Sequence, residues 1–440
     1  MNLHVGARLS KGDVISLLDE ARQRTLLLTQ SLSEHDLGVQ HDPLMSPILW
    51  DLGHIGHFEE VWLLEMLDGG DSSSEGLRGI YNPFEHPRAT RADLDLPTYA
   101  ECGEYLDAVR QTALERLAVE DQSADSDLLR DGFVYRMVLQ HEYQHNETIL
   151  QTLQLKGGEP YHPVRTAGPS AVPPEAPPPG SMVRFPGGQI RHGTDDRSAP
   201  YDNERPAHQV EIPPFRIGAH AVTNGEYLGF MEDGGYDRSD AWSADGWAWK
   251  KKEGLVSPKY WARGASGWQE RSFDATEPID HTRPVCHICY WEADAYARWA
   301  GLRLPTEAEW EAAASWNPTG ATKSIYPWGD AAPAEHAANL DARSFRPAPI
   351  GSYPAGVSAV GCWGMLGDVW EWTSTDFYAY PGYETFPYPE YSEVFFGDEH
   401  KVLRGGAWAT RFGATRNTFR NWDYPIRRQI FSGVRCAQDD

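Results

Sequence analysis

Residues 133–154 read FVYRMVLQHEYQHNETILQTLQ, a stretch with the periodicity of an amphipathic helix. Residues three and four apart share one helical face. Here that face comprises Val134, Val138, His141, His145 and Ile149. Two imidazoles on an otherwise apolar face point towards the interior of the fold. The stretch therefore predicts a buried helix that carries a pair of candidate metal ligands.

Three earlier stretches show the same periodicity: residues 13–32, 46–67 and 98–119. Together with the last helix, expected over residues 127–155, they predict an antiparallel four-helix bundle. In the second stretch, one face comprises Trp50, His54, Phe58 and Val61. We therefore expect His54 to lie among apolar neighbours that face the same core as the histidine pair.

Three inward histidines from two helices, His54, His141 and His145, can meet at one point. Three neutral imidazoles that leave the rest of the coordination sphere open suit a catalytic zinc, iron or similar divalent ion. Ligand type alone does not choose between zinc and iron. Hydrogen-bonded core histidines are the alternative interpretation.

Other side chains compete for these roles. His57 replaces His54 as the third ligand if the helix is rotated. Glu59 and Glu147 are also ligand types, although both lie off the apolar face.

Residues 141–145 also match the H-E-x-x-H pattern of zinc metallopeptidases, in which the glutamate, here Glu142, activates a metal-bound water. The chain continues Asn-Glu-Thr-Ile-Leu-Gln-Thr, without the nearby glycine and third histidine of the metzincins. The match to the longer metzincin pattern is thus only partial, and a zinc metallopeptidase is kept as an alternative hypothesis.

Residues 157–180 contain eight prolines and predict an extended linker between two unlike domains, 1–156 and 181–440. Fifteen of the seventeen tryptophans follow it, in short aromatic and β-branched stretches broken by glycine, proline and asparagine. Three windows there have helical periodicity: residues 224–232, 289–300 and 306–315. These features predict an irregular α+β domain after the linker. Together with the helical bundle before it, we expect a multidomain protein of class α plus α+β.

The composition restricts partners and compartment. The 440 residues carry a formal net charge of -25, which repels phosphates and disfavours a general nucleic-acid or anionic-membrane surface. Five scattered cysteines do not suggest a disulfide framework, and the start of the chain lacks the apolar core of a secretion signal. No stretch approaches the length of a membrane span. We expect a cytoplasmic protein.

Five motifs occur in order in the second half: LPTEAEWEA at 304–312, YPWG at 326–329, GDVWEW at 367–372, VLRGGAW at 402–408 and FSGVRC at 431–436. Together they resemble the formylglycine-generating-enzyme (sulfatase-modifying factor) fold, which is related to C-type lectins. In that family two cysteines after the Arg-Gly-Gly motif carry the chemistry. Here Thr410 and Thr415 occupy those positions, so we do not expect that activity.

The first half resembles the DinB-type bundle with a three-histidine metal site. A DinB-like four-helix bundle followed by a formylglycine-generating-enzyme-like domain is the architecture of the hercynine oxygenases, the sulfoxide synthases of ergothioneine biosynthesis. The resemblance implies a non-heme Fe(2+) held by His54, His141 and His145. It also implies that O2 couples the sulfur of a thiol substrate to C2 of the imidazole of hercynine, which is trimethylhistidine, and oxidises that sulfur to a sulfoxide.

The resemblance further implies a clamp for the thiol substrate γ-glutamylcysteine. The segment Arg88, Ala89, Thr90 and Arg91 matches a paired-arginine motif, and Asp423 and Arg427 match its partners from the second domain. Guanidinium groups pair bidentately with carboxylates, of which γ-glutamylcysteine has two, and Asp423 takes its ammonium.

Tyr388 and Tyr391 resemble a Tyr-x-x-Tyr element placed over the iron, and a phenol can deliver a proton, so Tyr388 is the candidate catalytic acid. Gln144 is expected to hydrogen-bond the substrate imidazole. Asn421 and Trp422 are expected to hold the carboxylate and quaternary ammonium of hercynine, the latter by cation–π attraction. The resemblance places the site in a cleft between the two halves.

Several alternatives remain at this stage. The thiol donor is either γ-glutamylcysteine or cysteine, and a related enzyme accepts histidine in place of hercynine. An alternative from a different class is a non-catalytic protein, in which the second half is a lectin-like binding domain and the bundle is a scaffold stabilised by zinc. We interpret Cys286 and Cys289 as buried structural residues and not as a zinc site, because no second cysteine pair follows. The chain is expected to act as a monomer.

Overall fold

A computed structural model describes all residues except 1–5, 7, 8, 69–78, 120–125, 167, 170, 171, 174 and 266. The chain forms two compact units. One comprises residues 1–162 with 197–199, and the other comprises residues 163–196 with 200–440. No helix among the described residues has the length and apolar character needed to cross a membrane.

The first unit is helical. Its elements are α1 (Lys11–Thr29), α2 (Glu34–Gly38), α3 (Ile48–Glu60), α4 (Tyr99–Val119) and α5 (Phe133–Leu155). After α3 the chain continues through a π-helical turn, Val61–Glu65, and a last turn, Met66–Asp68. Ser10 caps α1 in a capping box with Asp13, which satisfies free backbone N–H groups at the helix start. The four long helices pack on one another, as expected.

The last long helix begins later than predicted. In the expected 127–155 stretch, residues 127–129 form a turn and Arg130–Gly132 a short 3-10 helix before the α-helix begins. Asp131 and Gly132 have φ values of 56° and 73°. This left-handed backbone interrupts an α-helix, so α5 begins only at Phe133.

Buried charges connect all four long helices. Arg22 of α1 contacts Glu59 of α3 at 2.8 Å and Glu142 of α5 at 3.1 Å, and Arg110 of α4 contacts Glu59 at 2.6 Å. Thr25 of α1 donates to Glu142 at 2.7 Å. Two guanidinium groups thus balance two carboxylates inside the bundle, which satisfies charges that would otherwise be costly to bury.

The second unit is α+β. Its helices are α6 (Asn224–Glu232), α7 (Ala244–Glu253), α8 (Tyr290–Trp299) and α9 (Glu307–Ser315). The three predicted helical windows are therefore confirmed to within a residue at each end, and α7 was not predicted.

Among the described residues, the strands of this unit form five small sheets. The strands are β1 (Met182–Phe185), β2 (Gly188–His192), β3 (His208–Ile212), β4 (Phe215–Gly218), β5 (Trp261–Gly264), β6 (Gly267–Ser272), β7 (Ala275–Pro278), β8 (Trp316–Asn317), β9 (Thr322–Lys323), β10 (Trp370–Phe377), β11 (Gly397–Arg404), β12 (Asn421–Asp423), β13 (Ser432–Gly433) and β14 (Ala437–Asp439). The sheet orders are β1-β4-β14, β12-β11-β10-β13, β2-β3, β5-β6-β7 and β8-β9. In the four-stranded sheet, only β10 and β13 pair in parallel.

The charged residues of the sequence motifs are one another's buried partners. Arg404 of VLRGGAW forms salt bridges with two glutamates of LPTEAEWEA, Glu307 at 2.9 Å and Glu311 at 2.5 Å. Arg435 of FSGVRC contacts Glu371 of GDVWEW at 2.8 Å. Buried ion pairs therefore join four of the five motifs in twos, LPTEAEWEA with VLRGGAW and GDVWEW with FSGVRC.

Most of the proline-rich stretch, residues 163–180, belongs to the second unit and is bonded to the rest of it. Arg165 pairs with Asp274 at 2.7 Å, and the Thr166 backbone N–H donates to the Arg343 carbonyl at 2.8 Å. Farther along, the ring of His220 bonds the Pro178 carbonyl at 3.2 Å. Residues 167, 170, 171 and 174 of the predicted linker lie outside the described residues.

Candidate metal centre

Three imidazoles converge inside the helical unit. His54 comes from α3, and His141 and His145 come from successive turns of α5. One ring nitrogen of each lies within 4.8 Å of the other two. Within the described part of the chain, no other set of three or more histidine, cysteine, aspartate or glutamate side chains converges in this way.

Hydrogen bonds orient two of the rings. The Nδ1 atom of His54 lies 2.9 Å from the backbone oxygen of Tyr81, and Nδ1 of His145 lies 3.2 Å from Oδ1 of Asp51. A carbonyl and a carboxylate both accept, so each Nδ1 carries the proton and each Nε2 keeps its lone pair. This is how metal-binding histidines are usually held in one tautomer and one orientation.

Aromatic side chains enclose the group. Phe58 stacks on His141 with ring centroids 3.7 Å apart, and Trp50 stacks on His54 at 4.7 Å. The Arg91 guanidinium lies 3.4 Å from the Trp50 centroid on that indole. Burial, together with the neighbouring imidazoles, lowers the pKa of His54 and of His141 well below the ordinary value. Both rings are therefore neutral, the form that binds a metal.

A glycine lets the Tyr81 segment approach His54. A Cβ atom on Gly53 would lie 2.0 Å from the Tyr81 ring, which is a severe overlap. Tyr81 is fully buried, so it has little room to move. The glycine before His54 thus permits the contact that brings the Tyr81 carbonyl to the imidazole.

The donor set fits a divalent transition metal. Three converging imidazole nitrogens occupy part of a coordination sphere and leave positions for substrates. Imidazole is a ligand for both zinc and iron, so the side chains support a metal without naming it.

The competing ligands predicted from the sequence lie elsewhere. His57 and Glu147 are not part of the converging group. Glu59 is engaged by Arg22 and Arg110. Both oxygens of Glu142 face cations, with Arg22 at 3.1 Å and Arg110 at 3.6 Å. Since that carboxylate is tied into the ion cluster, it does not serve as the general base that the peptidase hypothesis requires.

Comparison with known proteins matches each half of the chain to a known family and nearly the whole chain to named relatives. The DinB superfamily matches residues 17–149, and the sulfatase-modifying factor enzyme 1-like domain matches residues 169–440. The hercynine oxygenase of Mycobacterium tuberculosis is 46% identical over 429 residues, covering 96% of this chain and 97% of the relative. Those of Mycolicibacterium thermoresistibile and Mycolicibacterium smegmatis are 46% and 45% identical, covering 98% of this chain and 95% and 99% of theirs. The chain belongs to the hercynine oxygenase family. The expected fold class is confirmed, and the protein is an oxidoreductase.

The predicted substrate residues of the helical unit lie on a short 3-10 turn, Arg88–Asp93. Arg88, Ala89 and Thr90 are exposed. Arg91 is buried, and its guanidinium donates to the His86 carbonyl at 2.9 Å and to Ser46 Oγ at 2.6 Å through Nε and Nη1.

A second predicted substrate residue of this unit belongs to the metal-bearing helix. Gln144 lies on α5, directly before His145, and is half-buried. Its role towards a substrate stays a prediction.

The residues predicted in the second unit come together around Trp422. The Tyr391 ring meets the indole edge-on at 5.5 Å, and Tyr388 lies 6.4 Å from Tyr391 between ring centroids. Asp423 follows Trp422 on β12 and pairs with Arg427 at 3.1 Å. Asn421 starts the same strand, where its side chain accepts from the Trp422 backbone N–H at 2.9 Å.

Thr410 and Thr415 lie close to the Arg-Gly-Gly turn. A Cβ atom on Gly406 would lie 3.3 Å from Thr415 Oγ1 and 3.4 Å from Thr410 Oγ1, so the two hydroxyls flank one point. Thr410 Oγ1 also accepts from the Ala407 backbone N–H at 2.9 Å. The two positions at which the family resemblance leads us to expect cysteines are thus buried threonines next to the Arg-Gly-Gly turn.

Sequence reasoning missed the residues that orient the histidines. Asp51 precedes His54 by three residues, and it serves His145 of the other helix. Tyr81 acts through its backbone carbonyl, which has no signal in the residue type. An acidic side chain one turn from a candidate ligand is the signal that would have pointed to Asp51.

Proposed function

We propose that this protein is an Fe(2+)- and O2-dependent sulfoxide synthase that joins the sulfur of γ-glutamylcysteine to C2 of the hercynine imidazole, in ergothioneine biosynthesis. The observation that carries the proposal is the His54, His141 and His145 group in a chain of the hercynine oxygenase family. The overall change is balanced. The thiol S–H and the imidazole C2–H bonds break, one S–C bond forms, and O2 supplies one oxygen to sulfur and one to water.

The three histidines would hold the metal, His54 and His145 through Nε2, and Tyr81 and Asp51 would keep these two rings in place. When bound, ferrous iron would supply O2 activation and a binding position for the thiolate. The protein's contribution is to hold three reactants in one orientation, which converts an encounter of three molecules into an intramolecular reaction.

Arg88, Arg91, Asp423 and Arg427 are proposed to bind γ-glutamylcysteine. The Asp423–Arg427 pair presents one anion and one cation, which match the ammonium and a carboxylate of the γ-glutamyl group. Arg91 uses Nε and Nη1 within the protein, and we assign its Nη2 to a second carboxylate. In an acidic protein, an anionic substrate depends on such local cations.

Tyr388 is proposed as the catalytic acid, with Tyr391 next to it. Burial raises the pKa of Tyr388 well above its ordinary value, and the nearby Tyr201 and Asp202 raise it further. The phenol therefore keeps its proton at neutral pH and can donate it during the reaction. Asn421 and Trp422 are proposed to bind the carboxylate and the quaternary ammonium of hercynine, and Gln144 its imidazole.

We further propose residues 1–156 and 181–440 as the two functional domains, joined by residues 157–180. All five cysteines are buried and outside any disulfide, which fits a cytoplasmic enzyme, since a reducing compartment keeps thiols reduced. We propose that the enzyme acts as a monomer. Light scattering during gel filtration tests this, because a mass near 49 kDa is expected and twice that mass would contradict it.

A competition experiment tests the reaction and its donor. The Fe(2+)-loaded protein is supplied with O2, hercynine and equal concentrations of cysteine and γ-glutamylcysteine, and products are separated by mass spectrometry. The proposal predicts mainly the γ-glutamyl sulfoxide. A cysteinyl sulfoxide as the main product would overturn the donor assignment, and the absence of any sulfur–carbon product would overturn the function.

An arginine variant tests the clamp. Removing a charge-assisted hydrogen bond costs roughly 1.5–3 kcal/mol, so Arg88→Ala is expected to raise KM for γ-glutamylcysteine roughly 10- to 100-fold. The control is Arg24→Ala, an arginine on α1 whose partner is Glu20. An unchanged KM in Arg88→Ala would remove Arg88 from the clamp.

A further inference from the structure

One buried carboxylate, that of Asp202, is bonded to both ends of the loop that carries Tyr388. Only 1% of Asp202 is exposed. Its Oδ2 atom accepts from the Tyr383 hydroxyl at 2.8 Å and from the Phe386 backbone N–H at 3.1 Å. Its Oδ1 atom accepts from the Ser392 hydroxyl at 2.5 Å. The donors therefore lie five and two residues before Tyr388 and four residues after it.

The residues adjacent to Asp202 contact the same loop. The Tyr201 ring stacks on Tyr391 with centroids 4.0 Å apart. On the other side, the Asn203 amide donates to Ser392 Oγ at 3.0 Å. The residues from 201 to 203 thus reach the loop by an aromatic stack and by hydrogen bonds.

This segment is itself fixed to the core. Arg420 donates to the Asn203 carbonyl at 2.8 Å, and its guanidinium pairs with Glu307 at 2.7 Å. All three residues are buried. The loop is consequently tied, through Asp202 and Asn203, to the charge network that holds the sequence motifs together.

We propose that Asp202 is a positioning residue for Tyr388: it fixes the loop of residues 383–392 so that the phenol has one defined location. The inference rests on the proposed function, in which Tyr388 donates a proton. A displacement of a reacting group by about 1 Å can cost roughly a hundredfold in rate. A single acceptor with three donors on both flanks of the tyrosine is suited to prevent such displacement.

The direct test is the location of the Tyr388 ring, observed without turnover. 3-Fluorotyrosine is incorporated at position 388, and its 19F resonance is compared in the full-length protein and in Asp202→Asn. The amide retains the shape but loses the acceptor charge and one acceptor oxygen. A shifted, broadened or divided line is expected, and a line identical to that of the parent protein would overturn the proposal.

Asp398→Asn is the matched control. Asp398 is also an acceptor for a tyrosine hydroxyl, that of Tyr378, but it lies exposed on β11. The 19F line is expected to stay unchanged in this variant. Ser392→Ala removes one of the three donors, and it is expected to shift the line less than Asp202→Asn. This milder change gives the same comparison if Asp202→Asn does not fold.

Kinetics provide a second readout. In Asp202→Asn we expect kcat to fall at least tenfold, with KM for both substrates changing less than twofold, because binding groups other than the loop are intact. A loss of binding with unchanged kcat would overturn the positioning role. If the parent protein forms no product at all, the proposed function fails, whereas the 19F comparison still decides the role of Asp202.

Discussion

Replacing Glu142 by glutamine separates a structural role from a catalytic one. Its carboxylate is 1% exposed and balances Arg22 and Arg110 together with Glu59. Burial alone would lower the pKa of Arg22, but the charges of Glu142 and Glu59 raise it. In Glu142→Gln, two buried cations face one carboxylate. Breaking a buried ion pair costs roughly 3–5 kcal/mol, and the amide keeps an acceptor for Thr25, so we expect about 3 kcal/mol.

The assay is urea unfolding followed by the far-ultraviolet helical signal. With a urea dependence of about 2 kcal/mol per molar, the midpoint of the helical unit is expected to fall by roughly 1–2 M. Glu20→Gln is the matched control, because the Glu20–Arg24 pair is 39% exposed on both sides and one turn apart on α1. It should change the free energy of unfolding by less than about 0.5 kcal/mol.

The result that would refute this reasoning is a Glu142→Gln protein with unchanged stability. Loss of all turnover in a protein of normal stability would point instead to a general base, as in the peptidase hypothesis.

Three further outcomes are expected. Asp51→Ala should lower metal affinity roughly 10- to 100-fold in a chelator competition, since the imidazole it orients becomes free to rotate, and an affinity within twofold of the parent's would contradict its role. Gly53→Ala should destabilise by about 2 kcal/mol in thermal unfolding because its Cβ overlaps Tyr81, whereas Gly103→Ala, with nothing within 4 Å, should be neutral or stabilising. Burial lowers the pKa of His192 to about 4 in the folded protein. In the unfolded chain this imidazole has its ordinary pKa near 6.5, so the unfolded chain binds the proton at a higher pH than the folded protein does. Stability should therefore fall by about 3 kcal/mol between pH 6.5 and 4, and the fall should be smaller in His192→Gln; an equal fall in both proteins would refute this assignment.

Periodicity was sufficient to predict the long helices, and with them the face that carries the ligands. It placed His54, His141 and His145 on inward faces, and the structure brings these three together. It failed at residues 127–132, because a left-handed turn at Asp131 depends on local backbone conformation and not on a hydrophobic pattern.

Contacts between distant segments were beyond the sequence. Glu59 and Glu142 lie on different helices, and no spacing rule pairs them with Arg22. Asp202 and Ser392 are separated by 190 residues, so a lone aspartate gave no sign that it holds the loop of Tyr388. Motif residues such as Glu307 and Arg404 were visible as a pattern, but the sequence did not show that they pair with each other.

Oxygen uptake in the His54→Ala variant tests the central claim most directly, because His54 is the proposed ligand contributed by α3. After anaerobic loading with Fe(2+), the parent protein is expected to consume O2 only when hercynine and γ-glutamylcysteine are both present. The variant is expected to bind the ion weakly and to show no uptake that depends on the substrates. Substrate-dependent uptake at the parent's rate in His54→Ala would contradict a metal centre built from three histidines.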